Sequence, residues 1–267
     1  MKYSLLLIFI FLNSCNSNPS KETPKEQQLY DIRTTYASEE DSTIVERKIP
    51  KYRVIYPAGR IYIYEATYIG VEGDTLSQEK VEWMATGKRT EFSPNRQDIM
   101  VYKYHYSPED SIRFIENPTI NKKANYANRW KSKKEEGIIE NVENVWLHPM
   151  RHNQYSFTQV APYPHLRYPL EIGNKWSTSL EMLGTDGDWS YANIQKNHEI
   201  TDSFTKSYPN IGTLKCWELN ATATFKMSTS TLQYFFNEQY GFTELHYVNY
   251  IGEKLSVVLK EVQDDKK

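Results

Sequence analysis

Three histidines near the middle of the chain have a spacing that could serve a metal ion. His148 and His152 are four residues apart, which on a helix would place both imidazoles on one face, and His165 follows in the same segment. Pro149 stands between the first two, however, and a helix does not tolerate proline in its interior. No glutamate occupies the position that a zinc hydrolase would need. We therefore predict no metal site and no cofactor. The candidate ligands, if a metal did bind, are His148, His152 and His165.

Two other sets of residues could carry chemistry. Asp186-Gly187-Asp188 has two acids around one glycine, but without further oxygen ligands this pattern is typical of a tight turn. Cys216 has no flanking signature of a nucleophile and precedes Trp217, which favours a buried structural thiol. The sequence also contains no nucleophile elbow and no phosphate-binding glycine loop. These observations disfavour an enzyme.

The most distinctive feature of the composition is its aromatic content, with 21 Tyr, 10 Phe and 6 Trp in 267 residues. Tyrosine favours strands, and its ring carries a hydroxyl that seeks a polar partner. Because alternate residues of a strand face opposite sides, some tyrosines must point away from the core. We expect a concave aromatic face that binds a ligand through Tyr62, Tyr64, Tyr102, Tyr104, Tyr234 and Tyr247. The alternative is that these rings cover an exposed sheet or pack beneath a proline-rich connection.

The elements that would position these residues are predicted to be strands. Leu214–Phe225 alternates strictly between apolar and polar residues, and Ile99–Tyr106 is a β-branched and aromatic run. Thr229–Phe236 and Phe242–Tyr250 flank a five-residue loop that ends in glycine, which predicts a hairpin. Consecutive hairpins indicate an antiparallel meander. The face of the first strand that we expect to be buried carries Trp217, Leu219, Ala221, Ala223 and Phe225.

Two segments depart from the strand pattern. Glu116–Glu140 is rich in lysine and glutamate, which predicts an exposed excursion that is irregular or forms a short helix. Val145–Leu170 contains Pro149, Pro162, Pro164 and Pro169, which predicts an extended connection. Asp186-Gly187 predicts one more tight turn.

Several short motifs follow one another over about residues 144–262: Trp146–Arg151, Ala161–Pro164, Pro169–Trp176, Gly212–Trp217, Tyr234–Phe242 and Leu255–Leu259. The third has the form apolar-Xaa-Xaa-Gly-Xaa-Xaa-Trp. In this order the motifs resemble a family of uncharacterised cell-envelope proteins and lipoproteins of Gram-negative bacteria. The resemblance implies an antiparallel sheet curled into a half-barrel, and it implies no activity. We therefore predict a mainly β fold, an antiparallel meander curled into a half-barrel or open barrel, with a short helical or irregular excursion near residues 116–140.

The first residues have the features of a bacterial lipoprotein signal. Lys2 precedes the apolar run Leu5–Leu12, which is too short to span a bilayer. Leu12-Asn13-Ser14-Cys15 resembles a lipobox, which implies cleavage before Cys15 and acylation of its sulfur. We predict a signal peptide at residues 1–14, a lipidated Cys15 and flexible tether at residues 15–48, and a single β-rich domain at residues 49–267. Asn16 favours the outer membrane, facing either the periplasm or the cell surface.

Composition limits the partners. Lys and Arg total 32 and Asp and Glu total 34, so there is no basic field that would attract nucleic acid. The preferred interpretation is a non-enzymatic binding or assembly module, anchored to the membrane through acyl chains on Cys15. Its partner would be another envelope protein or an amphipathic ligand. The alternatives are a hydrolase of envelope polymers with unidentified catalytic residues, and a structural subunit of an outer-membrane complex.

Overall fold

The computed structural model of the chain describes residues 55–89, 97–109, 112, 131–181, 193–225 and 228–264. The predicted signal peptide, Cys15 and the predicted tether lie outside the described residues. The predicted turn at Asp186-Gly187 and most of the predicted excursion before residue 131 also lie outside them. Within the described ranges, no helix is both long and apolar enough to cross a membrane.

The described chain consists mostly of β-strands, so the prediction of a mainly β fold is confirmed. A 3-10 helix at Asn153–Gln159 stands between two of the strands. In chain order the strands are β1 (Ile61–Ile69), β2 (Thr75–Arg89), β3 (Asp98–His105), β4 (Lys133–Glu140), β5 (Asn144–Leu147), β6 (His165–Arg167), β7 (Lys175–Glu181), β8 (Asn193–Tyr208), β9 (Gly212–Phe225), β10 (Ser228–Asn237), β11 (Gly241–Val248) and β12 (Lys254–Gln263).

These strands form one antiparallel sheet in the order β6-β5-β4-β3-β2-β1-β12-β11-β10-β9-β8-β7. Each strand pairs with the strand that follows it in sequence, except that β6 does not pair with β7. β1 also pairs with β12, from Ile61 opposite Gln263 to Ile69 opposite Lys254. The meander therefore curls into a barrel that is nearly closed, with one seam between the edge strands β6 and β7. The predicted antiparallel meander and open barrel are confirmed.

Alternation along β1 shows how the sequence fills this barrel. Tyr62, Tyr64, Ala66 and Tyr68 are buried, and the residues between them are half-buried. The buried set faces the interior because every second side chain of a strand points to the same side. Each large side chain that is fully buried contributes about 1.5–3 kcal/mol through removal of apolar surface from water.

The predicted buried face of β9 is confirmed, with one residue, Trp217, packed against the core while only partly buried. Leu219 and Phe225 are buried, as are the two alanines between them, whereas Trp217 is half-buried. Cys216 is buried on the other face, where its sulfur lies 3.9 Å from the hydroxyl of Tyr208. The outer face at this end of the barrel is therefore covered by a small apolar cluster of its own.

The hairpin predicted between β10 and β11 is confirmed, with β10 ending at Asn237 and β11 beginning at Gly241. Gly241 has a φ of 74°, a conformation that residues with a side chain rarely adopt. A Cβ atom there would also lie 2.1 Å from the hydroxyl oxygen of Tyr56. That oxygen accepts a hydrogen bond from the backbone N–H of Phe242 at 2.9 Å, so the glycine permits a close contact that joins the hairpin to the start of the domain.

The last third of the predicted excursion Glu116–Glu140 is wrong, because Lys133–Glu140 forms β4. This strand pairs with β3 on one side and β5 on the other, and both Glu136 and Ile138 are buried. The charged composition was misleading because Arg151 and His152 both contact the carboxylate of Glu136. A carboxylate with such partners can be buried in a strand, whereas an unpaired one could not.

The proline-rich segment Val145–Leu170 is also more regular than the predicted extended connection. It contains β5, the 3-10 helix and β6, and it passes through the barrel interior. Phe157 stacks on Tyr68 with ring centroids 5.8 Å apart and meets Tyr247 edge-on at 6.3 Å. Tyr155 and Phe157 belong to the same buried cluster as the inward tyrosines of β1. The segment is therefore part of the core.

Candidate functional site

The seam is the place where this barrel departs from a closed ring. No ladder joins β6 to β7 within the described chain. β6 is three residues long, with Pro162 and Pro164 before it and Pro169 after it. Proline has no N–H group, so it cannot donate to a ladder and is confined to edges of sheets. The sequence therefore keeps β6 too short to close the ring with backbone hydrogen bonds.

Aromatic side chains hold the two edges together instead. The rings of His165 on β6 and Trp176 on β7 meet edge-on with centroids 5.9 Å apart. Trp176 also stacks on His198 of β8 at 5.3 Å, with ring planes 3° apart. His198 Nδ1 lies 3.1 Å from the hydroxyl of Tyr234, which donates to the backbone carbonyl of His165 at 2.5 Å. These contacts form a latch across the seam.

The two histidines of the latch are neutral at physiological pH. Burial lowers the pKa of His165 to about 3, and the positive charges of Arg167 and Lys196 act in the same direction. Burial also lowers the pKa of His198 to about 3, again with help from neighbouring His165 and Lys196. The latch is therefore held by ring contacts and one hydrogen-bonded hydroxyl, with no ionic contribution.

Lys196 lies beside the latch on the inward face of β8. Its side chain is buried, with 3% of the residue exposed, and its Nζ lies 3.1 Å from the ring centroid of Tyr163. Burial lowers the pKa of its amine to about 7, and the nearby positive charge of Arg151 contributes to the shift. Within the described ranges no hydrogen bond or ion pair reaches this amine. A buried lysine that lacks a carboxylate partner is uncommon, because the charged form loses its hydration without compensation.

A group of basic side chains surrounds one carboxylate near Lys196. The carboxylate lies on β4, and its partners lie in the segment after β5. Arg151 donates from Nε to Glu136 Oε1 at 3.0 Å, and its Nη2 lies 3.0 Å from Oε2. His152 Nε2 lies 2.5 Å from Oε1, and His148 Nδ1 lies 3.9 Å from Oε2. Burial alone would raise the pKa of Glu136, but the hydrogen bonds from His152 and Arg151 lower it overall. The carboxylate is therefore ionised and already neutralised, which leaves Lys196 without an anion.

We call these residues together the seam cluster: Glu136, His148, Arg151, His152, Tyr163, His165, Trp176, Lys196 and His198. In the part of the chain that the structure describes, no group of three or more His, Cys, Asp or Glu side chains is placed to hold a metal ion. His148 and His152 both approach Glu136, whereas His165 lies in the latch. Burial lowers the pKa of His148 to about 4. The three metal candidates from the sequence thus belong to one cluster but do not converge on one point.

The six tyrosines predicted to bind a ligand all face the barrel interior, and each is at most 3% exposed. Tyr64 donates to the carbonyl of Phe242 at 2.7 Å, and Tyr62, Tyr102 and Tyr234 likewise donate to backbone carbonyls. Tyr102 and Tyr234 donate to carbonyls of the proline-rich segment, and the rings of Tyr104 and Tyr247 contact its aromatic residues, so these four pack against that segment. A ligand on this face stays a prediction, and it would require that segment to move.

A second polar cluster, which sequence reasoning missed, lies on the outer face of β11 and β12. Ser256 Oγ is 3.1 Å from His246 Nδ1, and His246 Nε2 is 2.8 Å from Glu244 Oε2. Serine, histidine and glutamate in this order resemble a hydrolytic triad. Glu244, however, is ion-paired with Lys206 at 2.6 Å. The strand backbone around Ser256 is paired with β1 and β11, so its N–H groups are not free to stabilise an oxyanion.

One signal in the sequence could have found Lys196. On β8 the buried residues Ile194, His198 and Ile200 alternate with more exposed ones, and Lys196 occupies a buried position of that alternation. A lysine in the apolar phase of a strand is a departure from the pattern. The latch had no such signal, because His165 and Trp176 meet only once the barrel has formed.

Comparison with known proteins gives similarity of fold at low sequence identity. No family model matches the chain, and no curated protein sequence does. A protein described as exported and YmcC-like in fold, from Bacteroides fragilis, is 8% identical with a TM-score of 0.44, and the match covers 78% of this chain and 97% of that one. A protein described as a lipoprotein, from Parabacteroides distasonis, is 12% identical with a TM-score of 0.43, covering 78% and 98%. The hypothetical lipoprotein YmcC of Escherichia coli is 7% identical with a TM-score of 0.33, covering 80% and 90%.

These neighbours are described as exported proteins and lipoproteins. At such identities and TM-scores the comparison carries no argument about the function of this chain. Its function has to be argued from its own residues.

Proposed function

We propose that this chain is a lipid-anchored, non-enzymatic binding protein of the cell envelope, and that its ligand binds at the seam cluster. The observation that carries the proposal is the seam itself. Within the described chain the two strand edges meet through side-chain contacts and no backbone ladder, next to a buried amine that has no anion partner. Opening the seam would break ring contacts such as His165 with Trp176 and would leave every described ladder hydrogen bond in place.

The chemistry of the seam cluster favours binding over catalysis. Glu136 is engaged by Arg151 and His152, which makes it a poor proton acceptor for a substrate. His165 and His198 are neutral and enclosed by rings, with Tyr234 as the hydroxyl in contact with His198. A general base needs a pKa near the working pH and access to a proton on the substrate. Neither histidine of the latch meets both conditions.

The envelope location is supported by the lipobox-like Leu12–Cys15. A diacylated cysteine would anchor the chain durably. The predicted tether would then allow the barrel to reach a ligand at some distance from the lipid surface. Outer-membrane placement follows from Asn16 by the sorting preference described above, and it is part of the proposal.

Native mass spectrometry of the full-length chain, extracted with mild non-ionic detergent from the envelope in which it is made, tests this function. We expect a retained non-covalent mass on the wild-type chain. Trp176→Ala removes the indole ring that contacts both His165 and His198, and it should release that mass. Phe204→Ala is the matched control, because Phe204 lies on the same β8 strand as His198 but packs on Phe235 at the outer face, with centroids 5.1 Å apart.

The comparison of the two variants decides the outcome. Loss of the retained mass in Trp176→Ala but not in Phe204→Ala supports a ligand at the seam. A wild-type chain that carries no retained mass under the same extraction overturns the proposal, and so does a mass that both variants keep. Circular dichroism of both variants should retain the β spectrum of the wild type, which separates loss of ligand from loss of fold.

A further inference from the structure

The seam cluster contains more hydrogen-bond donors than acceptors. Lys196 carries three N–H donors when protonated, and the face of Tyr163 accepts the amine from one side only. Trp176 lies diagonally across β7 and β8 from Lys196, because Trp176 pairs with His198 and Thr178 pairs with Lys196. The indole N–H of Trp176 is buried and has no hydrogen-bond partner within the described chain. A buried donor without an acceptor is unfavourable, because it has lost its hydrogen bonds to water without replacing them.

We propose that Lys196 and the indole N–H of Trp176 bind an oxyanion, a phosphate or carboxylate group, at the seam. The inference rests on the proposed function and names the chemistry of its ligand. An oxyanion carries hydrogen-bond acceptors and no donors. It could therefore accept from both the Lys196 amine and the Trp176 indole N–H. It would also supply the negative charge that Lys196 does not find in Glu136, which Arg151 and His152 already occupy.

The charges that face this position agree with the inference. Arg151 lies close enough to Lys196 for its charge to act on the lysine amine. The histidines His148, His165 and His198 also face it, and burial keeps all of them in the neutral form near pH 7. The local balance of Arg151, Lys196 and Glu136 is therefore positive, and one bound anion would neutralise it.

A ligand has a route to the site from solvent. The side chains of Arg151, His152 and His148 are 28%, 25% and 19% exposed, so an anion in solvent can reach this part of the seam cluster. The lysine stem has four rotatable bonds, and its amine can leave the Tyr163 ring to meet an anion there. A charge-assisted hydrogen bond to that anion is stronger than a contact with a ring.

Isothermal titration of the full-length chain in non-ionic detergent with sulfate tests the site. Sulfate has the charge and oxygen acceptors of a phosphate but does not titrate near neutral pH. At pH 8 binding should take up protons, seen as a heat that depends on the ionisation enthalpy of the buffer, because the anion stabilises the charged lysine. Lys196→Met should weaken sulfate binding about tenfold to a hundredfold and abolish the proton uptake.

Two further variants make the result specific. Trp176→Phe keeps the ring of the latch but removes the donor, and it should weaken sulfate binding about threefold to tenfold. Lys175→Met is the matched control, because Lys175 lies on β7 but pairs outside with Glu199 at 3.2 Å and is 67% exposed. This control should bind sulfate as the wild type does. Lys196→Arg keeps the charge and should retain part of the affinity.

Vesicles distinguish the source of the oxyanion. With the Cys15→Ala chain, which carries no acyl anchor, binding to phosphatidylglycerol vesicles but not to phosphatidylcholine vesicles, lost on the further substitution Lys196→Met, assigns the group to a lipid headgroup. Sulfate binding without vesicle binding assigns it to a soluble molecule. The absence of both, or sulfate binding that is unchanged in Lys196→Met, overturns the inference. A mass retained at the seam in native mass spectrometry and kept in Lys196→Met would overturn it too, while the proposed function would stand.

Discussion

Two tyrosines in the barrel interior allow a direct test of how the core is paired. Tyr64 and Tyr247 are both almost fully buried, at 0% and 2% exposure, and belong to one cluster. The hydroxyl of Tyr64 donates to the carbonyl of Phe242 at 2.7 Å. The hydroxyl of Tyr247 has no hydrogen-bond partner among the described residues. Replacing either tyrosine with phenylalanine keeps the ring. Tyr64→Phe removes a hydrogen-bonded hydroxyl, whereas Tyr247→Phe removes a hydroxyl without a partner among the described residues.

The two substitutions should have different effects on the free energy of unfolding. Tyr64→Phe should lower it by about 1–2 kcal/mol, because a net hydrogen bond contributes about 0.5–1.5 kcal/mol and the Phe242 carbonyl loses a donor in a dry environment. Tyr247→Phe should be neutral or should raise it by up to about 1 kcal/mol. The wild-type hydroxyl there has lost its water without gaining a partner, so its removal relieves a cost.

Urea unfolding followed by tryptophan fluorescence measures both effects. Equal m values in the two variants would show that each exposes the same surface on unfolding, so that midpoints can be compared. The control is the double variant, for which we expect the sum of the two single effects, within about 0.5 kcal/mol, if the sites are independent. An equal loss in both variants, or a larger loss in Tyr247→Phe, would refute the assignment of hydroxyl partners.

Three further predictions concern the core, the anchor and the pH dependence. Phe225→Ala should lower the free energy of unfolding by about 3–5 kcal/mol, because Phe225 packs with Val160 and Ile194, and a loss below about 1 kcal/mol in urea would contradict this. Cys15→Ala should lose acyl label and membrane association, whereas equal labelling of mutant and wild type would contradict lipidation. Burial lowers the pKa values of His165 and His198 to about 3, so the unfolded state binds more protons between about pH 6.5 and pH 3. Stability should therefore fall as the pH falls through that window, and less steeply in His198→Phe; parallel curves for mutant and wild type would show that His198 is not the cause.

The local sequence pattern predicted the strands correctly but did not predict the surface that they form. The alternation of β9 and the glycine at Gly241 predicted a strand and a hairpin correctly, since both depend on neighbours in sequence. Alternation also predicted that successive residues of a strand face opposite sides. It could not predict that the proline-rich segment would fill the concave side, because Phe157 meets Tyr68 and Tyr247 only in the folded barrel.

Charge was the least reliable guide from sequence. Lys133–Glu140 has the composition of a solvated segment, yet it forms a strand with neighbours on both sides because Glu136 is paired with Arg151 and His152 from the segment after β5. The same long-range pairing decides the character of the site. Lys196 is conspicuous only after Glu136 is seen to be occupied, and no spacing in the sequence specifies which cation a given carboxylate will meet.

The position of the prolines connects the open barrel with the unusual lysine. Pro162 and Pro164 cannot donate ladder hydrogen bonds, so β6 stays short and the ring is not completed. Edge strands left in this way need cover, and the ring contacts of Trp176 provide it at one point of β7. A buried amine such as Lys196 would be costly in the middle of a closed sheet, but beside an edge it lies within reach of solvent and of an anion from outside. Replacing Pro162 and Pro164 with residues that can donate should therefore favour a longer β6, tighten the seam and weaken any anion binding that depends on Lys196.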